Sequence, residues 1–106
     1  MAVKGWSDAE LIDSILTYKL FEAQIRNGDK PQKTAAYRRL HAQHPSRSVK
    51  AFEYRMCNIS AVYVMSLGRP YVAGLVPAKN VGRGMQKRIV ALILKVERQQ
   101  KEQLAA

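Results

Sequence analysis

Apolar residues recur at helical spacing near the start of the chain. They fall on one face of a helix: Leu11, Ile15, Tyr18 and Ile25. Just upstream, Ser7-Asp8-Ala9-Glu10 matches a capping box, in which a hydroxyl and a carboxylate each satisfy a free backbone N–H. Asn27-Gly28 supplies the left-handed residue that commonly ends a helix. We therefore predict a first helix from Asp8 to Arg26, with Trp6 folded back onto its apolar face.

Two more helical patterns follow, separated by a short turn at residues 44–47. Pro31 suits the first turn of the second helix, which must end before Pro45. The narrow buried face expected for this helix consists of Ala35, Ala36, Tyr37 and Leu40. Ser46-Arg47-Ser48 then predicts the start of a third helix over residues 48–67, closed by Gly68. Its buried stripe consists of Phe52, Met56, Ile59, Tyr63 and Leu67. Two helices joined in this way are typical of a helix-turn-helix.

The segment from Arg69 to Pro77 breaks the helical pattern. It contains two prolines and a glycine, which predict an extended, partly packed connection. The helical period returns from about Arg83, with apolar positions at Met85, Ile89, Leu92, Ile93 and Val96. Beyond Arg98 the sequence is polar, and we expect residues 98–106 to fray. The chain as a whole predicts one all-α domain over residues 1–106, with four helices and a helix-turn-helix-like centre.

The charge of the chain is concentrated in its middle. The 106 residues carry a formal net charge of +10, and residues 31–90 contain eleven basic residues against the single acidic Glu53. Such an excess indicates a polyanionic partner. Because no acidic residue occurs between Glu53 and Glu97, basic residues in that interval are expected to be available for phosphate contacts.

This distribution predicts a non-catalytic module that binds duplex DNA. The polar side of the third helix, away from Phe52, Met56 and Ile59, would read the major groove, and a second basic group around the fourth helix would contact phosphates. The residues expected to contact DNA are Arg38, Arg47, Ser48, Lys50, Tyr54, Arg55, Asn58, Arg69, Lys79, Arg83, Lys87 and Arg88. Glu53 is expected to pair with neighbouring basic side chains.

Other chemistries have little support in the sequence. His41, His44 and Cys57 lack the spacing of a metal site, and Cys57 is expected to be a small core residue. We find no paired carboxylates, nucleophile elbow or phosphate-binding loop, so we predict no enzyme activity and no cofactor. A lone cysteine, no signal-peptide pattern and no apolar run of membrane-spanning length predict a cytoplasmic protein.

One segment resembles a known family. The run Asn58-Ile59-Ser60-Ala61-Val62, the downstream Leu67-Gly68-Arg69-Pro70-Tyr71 and an N-terminal Trp6-Ser7-Asp8-Ala9-Glu10 are similar to the N-terminal region of bacterial restriction proteins that carry an HNH nuclease. The resemblance implies a DNA-recognition module in restriction or defence, with modified DNA as a target. It marks Arg47, Ser48, Arg55 and Asn58 as motif positions. The His, Asn and Cys residues of the nuclease itself are not present in the chain.

Two other functions fit the sequence. The net charge alone does not separate duplex DNA from structured RNA, although few aromatic residues are arranged as a stacking platform for single strands. The Pro70 to Pro77 segment and the apolar fourth helix would also suit an interaction adaptor or a homodimer. A DNA-binding module of this kind could act alone or be attached to a nuclease-bearing protein.

Overall fold

The structure, a computed structural model, describes residues 5–105. Its four α-helices are α1 (Asp8–Arg26), α2 (Lys33–Gln43), α3 (Val49–Met65) and α4 (Arg83–Ala105). Within the described residues there is no β-strand. The prediction of a small all-α domain with four helices is therefore confirmed.

Local capping signals fix the start of α1 and of α3. The Ser7 hydroxyl accepts a hydrogen bond from the Glu10 amide at 3.1 Å, and the Glu10 carboxylate accepts one from the Ser7 amide at 2.8 Å. The Ser48 hydroxyl likewise accepts a hydrogen bond from the Ala51 amide at 3.0 Å. Both caps satisfy backbone donors that the first helical turn leaves free.

Three helix limits differ from the sequence prediction. α2 begins at Lys33, so Pro31 precedes the helix instead of occupying its first turn. α3 ends at Met65, two residues early, and Gly68 with a φ of +62° lies in the turn that follows. α4 continues past Arg98 to Ala105, although the side chains of residues 98–105 are exposed. Ala106, the end of the segment expected to fray, lies outside the described residues.

α3 is the central helix of the domain. It packs against α1, α2 and α4, and six consecutive residues from Asn58 to Tyr63 are buried. Phe52, Met56, Ile59 and Tyr63 are each no more than 1% exposed, which confirms most of the predicted stripe. A helix surrounded by three neighbours has little surface left for solvent, and this geometry limits what α3 can present to a partner.

The connection between α3 and α4 is non-helical, as predicted, and is held against the core. Val72 and Leu75 are each 4% exposed. The Tyr18 hydroxyl accepts a hydrogen bond from the Val72 amide and forms another with the Ser60 hydroxyl, each at 2.9 Å. These contacts join the connection to α1 and α3, so its position on the surface is fixed.

Several core predictions need correction. Ile25 and Ala35 are exposed, and Cys57 is only half-buried. Trp6 packs against the core and makes a ring contact with Phe52 of α3 that the sequence did not predict, in a T-shaped arrangement with centroids 5.3 Å apart. The N-terminal segment therefore packs on the start of α3.

Candidate nucleic-acid interface

The predicted reading face of α3 is largely occupied by contacts within the protein. The Arg47 guanidinium lies 4.6 Å from the Trp6 ring centroid and that of Arg55 lies 4.3 Å from it. Arg55 also donates a 2.6 Å hydrogen bond to the side-chain oxygen of Asn58, which is only 2% exposed. The expectation that Asn58 faces outward is wrong, because the rest of the domain also covers the side of α3 on which Asn58 lies.

Arg47 is held by three separate contacts. Its Nε donates to the Glu10 carboxylate at 3.1 Å and its Nη2 to the Gly5 carbonyl at 2.6 Å, while its guanidinium carbon lies over the Trp6 ring. Although burial raises the pKa of Glu10, hydrogen bonds from the Ser7 amide and Arg47 bring that pKa below its usual value. A planar guanidinium suits such simultaneous stacking and ion pairing. Arg47 therefore anchors the N-terminal segment to the α2–α3 turn.

Arg55 lies in a different environment, since no carboxylate pairs with it among the described residues. Burial lowers the pKa of its guanidinium, and the neighbouring charges of Arg47 and Arg88 lower it further. Its Nε and the side-chain nitrogen of Asn58 are buried without a hydrogen-bond partner in the described part of the chain.

Two of the basic residues predicted to contact DNA, Arg69 and Arg88, form ion pairs with distant parts of the chain. Arg69 donates to both carboxylate oxygens of Glu97, at 2.6 and 3.1 Å, and Arg88 pairs with Asp8 at 2.7 Å. The hydrogen bond from Arg69 lowers the pKa of Glu97 to about 2. The expectation that basic residues between Glu53 and Glu97 lack acidic partners is therefore wrong for Arg69 and Arg88.

The turn between α2 and α3 is likewise fixed by its side chains. The His44 ring nitrogen lies 2.6 Å from the Asp13 carboxylate of α1, and the His41 ring nitrogen lies 2.6 Å from the Arg47 carbonyl.

Burial raises the pKa of the half-buried Cys57 thiol. Within residues 5–105, no three His, Cys, Asp or Glu side chains come together as a metal site. None of the described helices has the length and apolar character needed to cross a membrane.

The remaining predicted residues lie at the surface. Ser48 uses its hydroxyl as the cap of α3, whereas Tyr54 is 55% exposed. The side chain of Lys50 is 91% exposed and lies 3.9 Å from Glu53, which agrees with the expected pairing of that carboxylate. Four further predicted residues each take part in no ion pair among the described residues: Arg38, Lys79, Arg83 and Lys87.

Surface-exposed cations cluster along the connection before α4. Arg83 and Lys87 are one turn apart on α4 and line the same groove, and Lys79 lines an adjoining depression. The Ala78 amide donates to the Cys57 carbonyl at 3.0 Å, which ties this connection to α3. Lys33, which is half-buried, and the exposed Lys50 line a separate pocket together with Cys57. We call these five residues the basic surface: Lys33, Lys50, Lys79, Arg83 and Lys87.

Lys33 was missed by the sequence prediction. It lies at the start of α2, where nothing in the spacing indicates that it faces Lys50 and Gly74. Only the fold of the later connection brings these residues together.

Comparison of the chain with protein-family models, curated proteins and solved structures gives no match. The resemblance to HNH restriction proteins therefore stays a prediction from the sequence.

Proposed function

We propose that the protein is a non-catalytic domain that binds duplex DNA through phosphate contacts made by the basic surface. The observation that supports this proposal is the division of the cations into two groups. Arg47, Arg69 and Arg88 are paired with carboxylates, whereas Lys79, Arg83 and Lys87 are exposed and take part in no ion pair among the described residues. Unpaired surface cations are the groups that can displace counterions from a nucleic acid.

The proposed mode of binding differs from major-groove reading by Arg55 and Asn58. Because Asn58 is buried and Arg55 is stacked on Trp6, neither can reach a base edge without breaking internal contacts. Of the predicted readers, Ser48, Lys50 and Tyr54 are exposed, and the Ser48 hydroxyl caps α3. Phosphate contacts position a protein on nucleic acid without reading its sequence, so we expect weak sequence preference. Recognition of modified DNA in a restriction context remains part of the proposal only through the sequence resemblance.

A salt titration of duplex binding tests the proposal. Contact with about five phosphates predicts a log–log slope of about −4 to −5 in affinity against salt concentration. Lys87→Ala should lower this slope by about one, because it removes one phosphate contact. Arg88→Ala is the matched control: the residue is adjacent in sequence but paired with Asp8, and its loss should change the slope much less.

A flat salt response would rule out the proposal, and equal slopes for Lys87→Ala and the wild type would remove Lys87 from the interface. The same titration with a duplex RNA of matched length distinguishes the two polyanions. Tighter binding of the RNA would assign the basic surface to structured RNA instead.

An interaction adaptor is the second candidate function, and one feature favours it. A shallow groove of about 430 Å³ beside α4 is lined by apolar side chains that include Val90, Ala91 and Leu94. Leu94 is 45% exposed and nearby Met65 is 70% exposed. Exposed apolar surface of this kind is common at protein interfaces. Sedimentation of the free protein tests self-association: a monomer at all concentrations would exclude the homodimer.

A further inference from the structure

A pocket of about 400 Å³ lies between α2, α3 and the connection near Gly74. Its volume is within the range of small-molecule sites, roughly 300 to 1,000 Å³. The side chains that line it include two lysines and two tyrosines: Lys33, Tyr37, Lys50 and Tyr54. Hydrogen-bond donors, positive charge and an aromatic face therefore meet in one concave site.

Tyr37 supplies a buried donor that the protein itself does not use. The residue is 4% exposed, and its hydroxyl has no hydrogen-bond partner among the described residues. Burial raises the pKa of this phenol to about 12, and the nearby Glu53 and Cys57 act in the same direction. The hydroxyl is therefore protonated near neutral pH. Leaving it unpaired is unfavourable, and although the oxygen is closed off from solvent, a ligand acceptor that reached it through a shift of the pocket wall would be stabilising.

The two lysines supply the charge. Lys33 Nζ lies 2.8 Å from the position that a Cβ on residue 74 would occupy. Gly74, with a φ of +89°, therefore allows the ammonium to lie directly against the backbone of the connection. Lys50 reaches the same pocket from α3, and Glu53 offsets only one of the two positive charges. The net positive charge favours an anionic ligand.

Tyr54 completes the site with an exposed aromatic ring. It is 55% exposed and lines the pocket. An exposed tyrosine face can stack on a planar ring, and stacking of this kind tolerates any base. An anion that also carries a planar ring uses all four of these side chains, whereas inorganic phosphate alone leaves Tyr54 unused.

We propose that this pocket binds one nucleotide, with its phosphate at Lys33 and Lys50 and its ring on Tyr54, and that binding shifts the pocket wall so that an acceptor atom of the ligand reaches the enclosed Tyr37 hydroxyl. The nucleotide is either a free nucleoside monophosphate or one unit of a single strand. Lys33 and Lys50 belong to the basic surface as well, whereas its other three cations, Lys79, Arg83 and Lys87, take no part in this pocket.

Nuclear magnetic resonance titrations with adenosine 5′-monophosphate test the site. We expect saturable shifts of the Cys57 and Gly74 amide signals, and a weaker response to adenosine or inorganic phosphate alone. Tyr37→Phe should weaken binding about two- to tenfold, as the loss of one hydrogen bond predicts. Lys50→Gln should weaken it by a similar factor. The matched controls, Tyr71→Phe and Lys95→Gln, change exposed residues outside the pocket and should leave the affinity unchanged.

Thermal unfolding of Tyr37→Phe separates a binding role from a structural one. Because the hydroxyl has no internal partner, the variant should melt at the same temperature as the wild type or higher. A lower melting temperature, unchanged affinity in Tyr37→Phe, or shifts spread evenly over all exposed lysines would overturn the proposal.

Competition with a single-stranded oligonucleotide then distinguishes a free nucleotide from one unit of a strand as the ligand. Displacement of the monophosphate by the oligonucleotide indicates a unit of a strand, and the absence of displacement indicates a free nucleotide. Lys87→Ala should retain full affinity for the monophosphate while its duplex binding weakens and the salt slope falls by about one, so failure of the pocket and failure of duplex binding can be told apart.

Discussion

Glu97 is expected to make the stability of this domain depend on acid. Its carboxylate accepts hydrogen bonds from Lys19 of α1 at 2.6 Å and from Arg69, after α3, at 2.6 and 3.1 Å. One side chain of α4 therefore joins three parts of the fold. The Arg69 hydrogen bond is the main cause that lowers the pKa of Glu97 from 4.5 to about 2.

The size and the sign of the effect on stability follow from the difference between the pKa of Glu97 in the folded protein and its ordinary value. Each pKa unit corresponds to about 1.4 kcal/mol, so a fall of about 2.5 amounts to at most about 3.5 kcal/mol. The side chain of Glu97 is 28% exposed, and partial screening by water favours a value of about 2 to 3 kcal/mol. Because the folded state holds the carboxylate ionised, this stabilisation is present above about pH 4.5 and is lost as the pH falls towards 2.

Urea unfolding at several pH values measures this contribution, with the fluorescence of Trp6, the single tryptophan, as the signal. At pH 7, Glu97→Gln should lower the free energy of unfolding by about 2 to 3 kcal/mol relative to the wild type. The difference should shrink below about 0.5 kcal/mol near pH 2. Glu102→Gln, an exposed control on the same helix, should change neither value. A wild-type advantage over Glu97→Gln that stayed constant from pH 7 to pH 2 would refute the assignment.

Two further substitutions test the packing of α3. Ile59→Ala should lower the free energy of unfolding by about 2 to 4 kcal/mol, because Ile59 is 1% exposed and its loss leaves a cavity; an unchanged melting temperature would contradict the orientation of α3. Trp6→Ala should lower it by about 2 kcal/mol, since it removes the contact with Phe52 and the ring on which Arg47 and Arg55 stack. Chemical denaturation followed by circular dichroism measures both effects, and no loss in Trp6→Ala would show that the stacked cluster contributes nothing to stability.

The features that the sequence predicts well are those encoded over a few neighbouring residues. The start of α1 follows from a reciprocal pair of hydrogen bonds between Ser7 and Glu10, three positions apart. The buried stripe of α3 follows from the period of the helix, which places Phe52, Met56 and Ile59 on one side. Both inferences need no knowledge of which elements become neighbours.

The burial of Asn58 cannot be predicted from helical periodicity. Helical periodicity distinguishes one apolar side from one polar side, and it assigns Asn58 to the polar side. In the structure α1, α2 and α4 all contact α3, so the buried arc includes residues on either side of the stripe. Asn58 is accommodated there because its side-chain oxygen accepts from Arg55. The number of helices that surround α3 is a property of the whole fold and leaves no local signal.

The same limit applies to charge, and it determines which cations are available to a partner. The sequence places one acidic residue among eleven basic ones in residues 31–90, yet Arg47, Arg69 and Arg88 pair with carboxylates from outside that interval. These pairs join parts of the chain that are 28 to 80 residues apart. A polyanion that bound these three arginines would have to break ion pairs within the fold. Lys79, Arg83 and Lys87 can contact a polyanion without breaking any ion pair among the described residues. Internal pairing therefore removes three arginines from the positive charge available to a partner, and the connection before α4 and the first turns of that helix keep three exposed cations without an ion pair among the described residues.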